Sequence, residues 1–251
     1  LNMALNVAEN FHRVSQSENT QPQSVAFFSL EMSSEQLANR LIAIKSKVNS
    51  KKFRSGNLTN QDFEAIVKSS KNLNSLPLYI DDTPAITISA ARTRARRLKR
   101  KNNLGLIVID YLQLMRGSQH NRENRVQEIS EITQGLKAIA KELNLPVIAL
   151  SQLSRAVEQR ENKRPQLSDL RESGTIEQDS DIVMFIYREQ YYIERLKPSE
   201  TSKEMQKWQE LMSAVLNKAD VIIAKQRHGP IGNVTLRFDP NTTEFNNIAQ
   251  E

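Results

Sequence analysis

Leu104-Gly105-Leu106-Ile107-Val108-Ile109-Asp110, followed by Tyr111-Leu112-Gln113-Leu114-Met115, is the stretch on which the fold turns. Five of its first six residues are apolar and the run stops at a carboxylate. That is the pattern of a strand buried on both faces of a parallel sheet. Open α/β sheets bind ligands beyond the carboxyl ends of their strands. Asp110 therefore falls where a charged ligand or its metal is held. A helix N-cap or turn aspartate is the plainer alternative.

Working outward, short apolar runs alternate with helical patterns. Leu1 to Val14 reads as a helix already under way, and Val25 to Leu30 as a strand. Ser33 opens a helix through a capping box with Gln36, with Leu37, Leu41, Ile44 and Val48 as its buried stripe. A helix near Gln61 to Leu73 is expected to bury Phe63, Ile66 and Val67. Leu78 to Asp81 is a strand, and Thr87 caps a helix from Ile88 to about Lys101. A polar loop from Arg116 to Asn124 precedes a helix over Arg125 to Leu143, with Val126, Ile129, Leu136, Ile139 and Leu143 on one face. Pro146 to Leu150 and Asp181 to Tyr187 read as further buried strands. Strands alternating with helices predict βαβ units and a parallel sheet. Tyr191 to Leu216 is charged, helical and without a clean apolar stripe, so 191–217 reads as a surface insertion. Val221 to Lys225, the Gly229–Gly232 turn and Val234 to Phe238 suit antiparallel hairpins at one edge of the sheet. The expectation is one domain over residues 1–251.

Composition narrows the function classes. None of the 251 residues is cysteine, which removes disulfides, thiolate metal ligands and thiol nucleophiles. Three scattered histidines give no zinc-ligand spacing. No apolar run approaches the roughly 20 residues of a membrane helix, and the first residues lack a signal-peptide layout. A formal charge of +6 leans towards a polyanionic partner.

Several polar residues share the placement of Asp110. An aspartate ending a buried strand is the Walker-B pattern, in which the carboxylate helps hold Mg²⁺ on a nucleotide phosphate. Glu31 follows a strand in the same way. Two carboxylates at the ends of parallel strands can converge, one serving a metal and the other polarising a water. Alone, Glu31 is equally an exposed helix-entry residue favoured by the dipole. Gln152 ends a third strand, where a neutral amide can bond a γ-phosphate or the attacking water. Residues 151–181 form a long basic stretch with Arg155, Arg160, Lys163, Arg164 and Arg171, then Glu172-Ser173-Gly174. Such a loop can follow a phosphate backbone through cations and N–H groups, or be a solvated surface loop. The seven cations between Arg92 and Lys101 surround their helix and read as a solvated or subunit-contact face. Lys225 and Arg227 end a late strand beside the Gly229 turn. They fill a solvated hairpin or reach a phosphate on a neighbouring subunit.

Taken together, these segments resemble the C-terminal motor domain of DnaB-type replicative DNA helicases. The blocks that carry the resemblance are Phe28 to Met32, Leu106 to Met115, Asn124 to Ser130, Ala149 to Arg155, Asp169 to Gly174 and Ala224 to Gly232. Six blocks in order are highly specific. The resemblance implies a RecA-like P-loop NTPase core, a mostly parallel twisted sheet flanked by helices with antiparallel hairpin strands at the C-terminal edge. It implies a hexameric ring around single-stranded DNA, ATP and Mg²⁺ as cofactors, primase and a helicase loader as partners, and a cytoplasmic, membrane-free location. By the same resemblance Glu31 is the base that activates the attacking water, Asp110 the Mg²⁺ aspartate and Gln152 the γ-phosphate sensor. Arg40 is an auxiliary nucleotide-site arginine. Lys225 and Arg227 are a finger pair for the next subunit's nucleotide, and Arg171, Glu172 and Gly174 hold the DNA backbone.

One departure matters. The family's glycine-rich phosphate loop, ending in Gly-Lys-Thr or Gly-Lys-Ser, should immediately precede the helix at Leu1. The earliest glycine is Gly56 and no Gly-Lys pair occurs in the 251 residues. The sequence therefore predicts a motor domain truncated at its N-terminus and inactive alone. Its rivals are a non-catalytic DNA-binding or subunit-capping remnant, and a RecA-like recombinase. The Arg171–Gly174 and Lys225–Gly232 blocks favour the helicase over the recombinase.

Overall fold

The computed structural model describes residues 1–117, 125–170, 174–200 and 202–248. It divides into two compact units, Leu1–Ser154 with Leu170–Ser180, and Arg155–Asp169 with Asp181–Glu251.

The first unit is built on a four-stranded parallel sheet of β1 (Ser24–Ser29), β2 (Leu78–Asp81), β3 (Leu104–Asp110) and β4 (Val147–Ala149), ordered β2-β1-β3-β4. Its helices are α1 (Asn2–Glu18), α2 (Ser34–Ser46), α3 (Ser50–Ser55), α4 (Asn60–Asn74), α5 (Ile88–Asn102), α6 (Arg125–Leu143) and α7 (Gly174–Asp179). β1 is buried at every position because helices cover both its faces. Val25 and Phe27 join Ala4, Ala8, Leu37, Leu106 and Val108 on one side. Ala26 and Phe28 join Ala91, Ala95, Ile107, Ile109, Ile129 and Leu136 on the other. Alternate side chains thus feed two separate layers, each large apolar side chain contributing about 1.5–3 kcal/mol.

β3 holds an irregularity. Ser24 pairs with Leu104 but Val25 pairs with Leu106, so Gly105 is one residue too many. This bulge puts Leu104 and Leu106 in opposite layers although they are two apart. The absence of a side chain at Gly105 is used, since a Cβ there would lie 2.9 Å from the Phe11 ring of α1.

Local signals hold at the helix ends. The Ser33–Gln36 capping box forms, and the Thr87 hydroxyl accepts the Ala90 N–H. Leu37, Leu41, Ile44 and Val48 are buried as expected. Two stripes differ from expectation. Phe63 is 61% and Val67 38% exposed on α4, and Val126 is 50% exposed on α6. Periodicity marks an apolar face, but among the described residues no neighbouring layer covers those positions. Gly135 lets α6 approach α5, because a Cβ there would collide with Ile88. Gly135→Leu is expected to destabilise the unit by about 1–3 kcal/mol through overpacking, read as a lower urea midpoint. An unchanged midpoint would show that α5 and α6 can part without cost.

The second unit carries β5 (Ile182–Tyr187), α8 (Glu189–Arg195), α9 (Met205–Val215), β6 (Lys218–Gln226), β7 (Gly232–Asp239) and β8 (Glu244–Asn247). Its four strands form a separate sheet in sequence order, all antiparallel. Here the structure corrects the reading of 181–187 as another strand buried on both faces. β5 pairs antiparallel with β6, and its burial alternates, Val183 and Phe185 buried, Ile182, Met184 and Ile186 exposed. The segment between β5 and β6 carries the two helices α8 and α9, and no described side chain of α9 is buried. Trp208 nevertheless ties the helices together, its Nε1–H donating to the Ile193 carbonyl at 2.8 Å.

The basic stretch is more ordered than its sequence suggests. Within the second unit Arg160 donates to the buried Asp169 at 2.6 Å. Arg164 donates to Asp220 at 2.7 Å and lies over the Tyr187 ring. Lys163 donates to the Glu158 and Arg160 carbonyls. These three cations brace the unit itself. On α5, likewise, Arg92 and Arg96 share Glu142 and Arg94 holds Asp81.

Candidate nucleotide site

Glu31, Asp110 and Gln152 all lie at the carboxyl ends of adjacent strands. Ser29, the last residue of β1, pairs with Asp110, the last of β3. The Leu30 N–H then donates to the Asp110 carbonyl at 2.8 Å, so Glu31 follows a residue bonded directly to the aspartate. Buried Ser29 sets the turn that carries Glu31, its Oγ donating to the Met32 carbonyl at 2.6 Å and receiving the Met32 N–H at 3.3 Å. On the other side of β3, Ile109 pairs with Ala149 and the Leu112 N–H donates to the Leu150 carbonyl at 2.9 Å. Gln152 emerges just beyond.

The electrostatics bring three of the expected residues together. Burial raises the Asp110 carboxyl above the usual range and the nearby Glu31 charge adds to this, while the Leu1 amino group and Arg40 oppose it. The Leu1 amino group in turn is lowered, mainly by burial, and feels Asp110 and Arg40. The start of α1 therefore lies near Asp110 and Arg40.

A carboxyl with a raised folded-state pKa contributes stability that is present below its unfolded pKa and lost as pH rises through the folded one. Asp110→Asn cannot ionise. It is expected to melt above the parent at pH 7, and to lose that advantage below about pH 4. Melting curves at the two pH values test this. A variant less stable at pH 7 than the parent would sink it.

The donor set fits a nucleotide with Mg²⁺. Among the described residues no group of three or more His, Asp or Glu side chains could hold a metal by itself. Mg²⁺ is commonly held by one or two carboxylates together with substrate phosphates, and Asp110 at the end of β3 supplies one such carboxylate.

The remaining expected residues belong to other elements. Lys225 pairs with Val183 in the second unit's sheet. Arg227 follows the end of β6, its N–H donating to the Asp181 carbonyl at 2.9 Å and its Nε 3.5 Å from the Asp181 carboxylate. Gly174 opens α7 with an exposed, uncrowded Cα. Arg171 and Glu172 lie outside the described residues. Sequence reasoning missed Ser29 and Gln113, both already inside quoted blocks. A serine at a strand end, three residues before the residue it bonds, was the available signal for the first.

Comparison with known proteins decides the family. Residues 1–247 match the model of the DnaB-like helicase C terminal domain. The chain belongs to this family. It is 56% identical over 250 residues to the replicative DNA helicase DnaB of Rickettsia typhi, covering all of this chain and 50% of that protein. A solved DnaB-like replicative helicase, described with its interactions with primase, is 37% identical with a TM-score of 0.79, over 95% of this chain and 53% of that one. A solved ATPase domain is 34% identical with the same TM-score of 0.79, over 96% of this chain and 79% of that one. The chain spans about half the length of the curated DnaB relatives it matches. The RecA-like fold shared by these DnaB-like proteins is the one expected from the buried strand ending at Asp110, with the antiparallel strands forming their own sheet.

Proposed function

We propose that this chain is the ATP-hydrolysing motor of a replicative DNA helicase, translocating 5′→3′ on single-stranded DNA within a hexameric ring. The observation that carries this reading is the meeting of Glu31, Asp110, Arg40 and the start of α1 at the carboxyl ends of β1 and β3. Mg²⁺ held there would supply charge neutralisation at the phosphate oxygens. Asp110, the half-buried last residue of β3, would hold the cation. Glu31, presented by the Ser29 turn, takes a proton from the attacking water. Gln152 donates its amide to the γ-phosphate, and Arg40 adds positive charge. Lys225 and Arg227 reach the nucleotide of the next subunit as a finger pair, and Arg171, Glu172 and Gly174 hold the DNA backbone. Primase and a helicase loader are its partners, and the cytoplasm is its place of work. No observation favours a remnant or a recombinase.

The test is hydrolysis by the full-length protein with Mg²⁺, with and without single-stranded DNA, alongside unwinding of forked duplexes with 5′ or 3′ tails. DNA-stimulated turnover and preference for the 5′ tail are expected. Absence of ATP hydrolysis under those conditions would overturn the reading.

A further inference from the structure

We propose that Gln113 is a positioning residue that fixes Gln152 relative to Asp110. The proposal rests on the nucleotide-site reading above. Gln113 lies three residues past Asp110, in the single 3₁₀ turn Leu112–Leu114. The β3–β4 ladder ends at the Ile109–Ala149 pair, so Gln152 lies three residues beyond its last strand partner. The Gln113 side chain spans that interval. Its Nε2 donates to the Ser151 Oγ at 2.9 Å, and its Oε1 accepts the Gln152 N–H at 3.1 Å.

Both halves of the carboxamide are used, which fixes its orientation. Turning it over would set an NH₂ group against the Gln152 N–H, donor against donor. The turn is itself held from behind, since Arg125 at the start of α6 donates to the Gln113 carbonyl at 2.6 Å. Gln152 is therefore anchored through its backbone. Its exposed side-chain amide has no hydrogen-bond partner among the described residues and is left for the phosphate. A carboxamide is long enough to bridge the two segments and carries one donor end and one acceptor end, as this bridge requires. Asp110 and Gln152 thus share one short rigid link, and the group that holds the metal and the group that senses the phosphate keep a common geometry.

The experiment uses the full-length protein and steady-state ATP hydrolysis. Gln113→Ala is expected to lower kcat about 10–100-fold with KM for ATP within about threefold, the signature of a misplaced group rather than lost binding. Gln113→Glu keeps an acceptor for the Gln152 N–H, and the Ser151 hydroxyl can turn to donate to it, so kcat should recover to within a few-fold of the parent. A variant carrying both Gln113→Ala and Gln152→Ala should be no slower than Gln152→Ala alone, because one residue acts through the other. Hydrogen exchange gives a readout independent of activity. The Gln152 amide should exchange at least about tenfold faster in Gln113→Ala while amides of β3 keep their protection. A parental kcat in Gln113→Ala, a fully additive double variant, or unchanged protection of the Gln152 amide would each overturn the proposal. If Gln152→Ala itself hydrolyses ATP normally, it is the nucleotide-site reading that fails.

Discussion

Arg227→Ala in the full-length protein is expected to cut ATP hydrolysis by about 10³-fold or more, the effect of removing an arginine finger. A guanidinium stays charged at any working pH and presents several donors in a fixed plane. Arg227 sits one residue past the end of β6 and is exposed, with its Nε 3.5 Å from the Asp181 carboxylate. That contact is weak enough to exchange for a phosphate, since exposed ion pairs are worth about 0–1 kcal/mol. The finger reading also places the defect across a subunit boundary from Glu31. Rings mixed from Arg227→Ala and Glu31→Gln subunits should then recover part of the lost activity, because some interfaces combine an intact finger with an intact base. DNA contacts made by Arg171 should be largely spared. If mixed rings assemble yet hydrolyse no faster than either variant alone, Arg227 does not act in trans.

The polypeptide of residues 1–251 on its own is expected to hydrolyse ATP at background rate. It holds Glu31 and Asp110 in place but no Gly-Lys pair, so the backbone cradle and the lysine that grip the β- and γ-phosphates are not supplied. Contacts of that kind contribute several kcal/mol to phosphoryl transfer, and each 1.36 kcal/mol lost is about tenfold in rate. Turnover stimulated by single-stranded DNA in this polypeptide, at the rate of the full-length protein and abolished by Glu31→Gln, would refute the prediction.

Most of the first unit could be read directly. Runs such as Ala26-Phe27-Phe28 and Leu106 to Ile109 admit few alternatives, because so many consecutive apolar residues need cover on both faces. Capping residues placed the starts of α2 and α5 for a local reason, a hydroxyl three residues from the N–H it accepts. β5 was misread because Ile182 to Tyr187 is apolar at every position, so its alternating burial left no trace in residue type. Strand direction is likewise invisible in such a run. Phe63, Val67 and Val126 show the converse, apolar residues in the right phase that stay largely exposed among the described residues. In the site, positions at strand ends marked Glu31, Asp110 and Gln152. The braces at Ser29 and Gln113 depend on which segments lie side by side, which only the folded chain reveals.

The extra residue at Gly105 has a consequence for the far end of its strand. A strand has parity: each added or removed residue exchanges inside for outside in everything downstream. β3 changes parity once, at its entrance, and from Leu106 onward it runs in step with β1 until Ser29 meets Asp110. The phase in which the aspartate arrives is thus decided five residues upstream, where a strand with one residue too many slips past its neighbour under the Phe11 ring. Any transplant of this strand into another scaffold must carry that offset with it. A regularised copy would deliver the same sequence with its carboxylate out of step with the strand that bears Glu31.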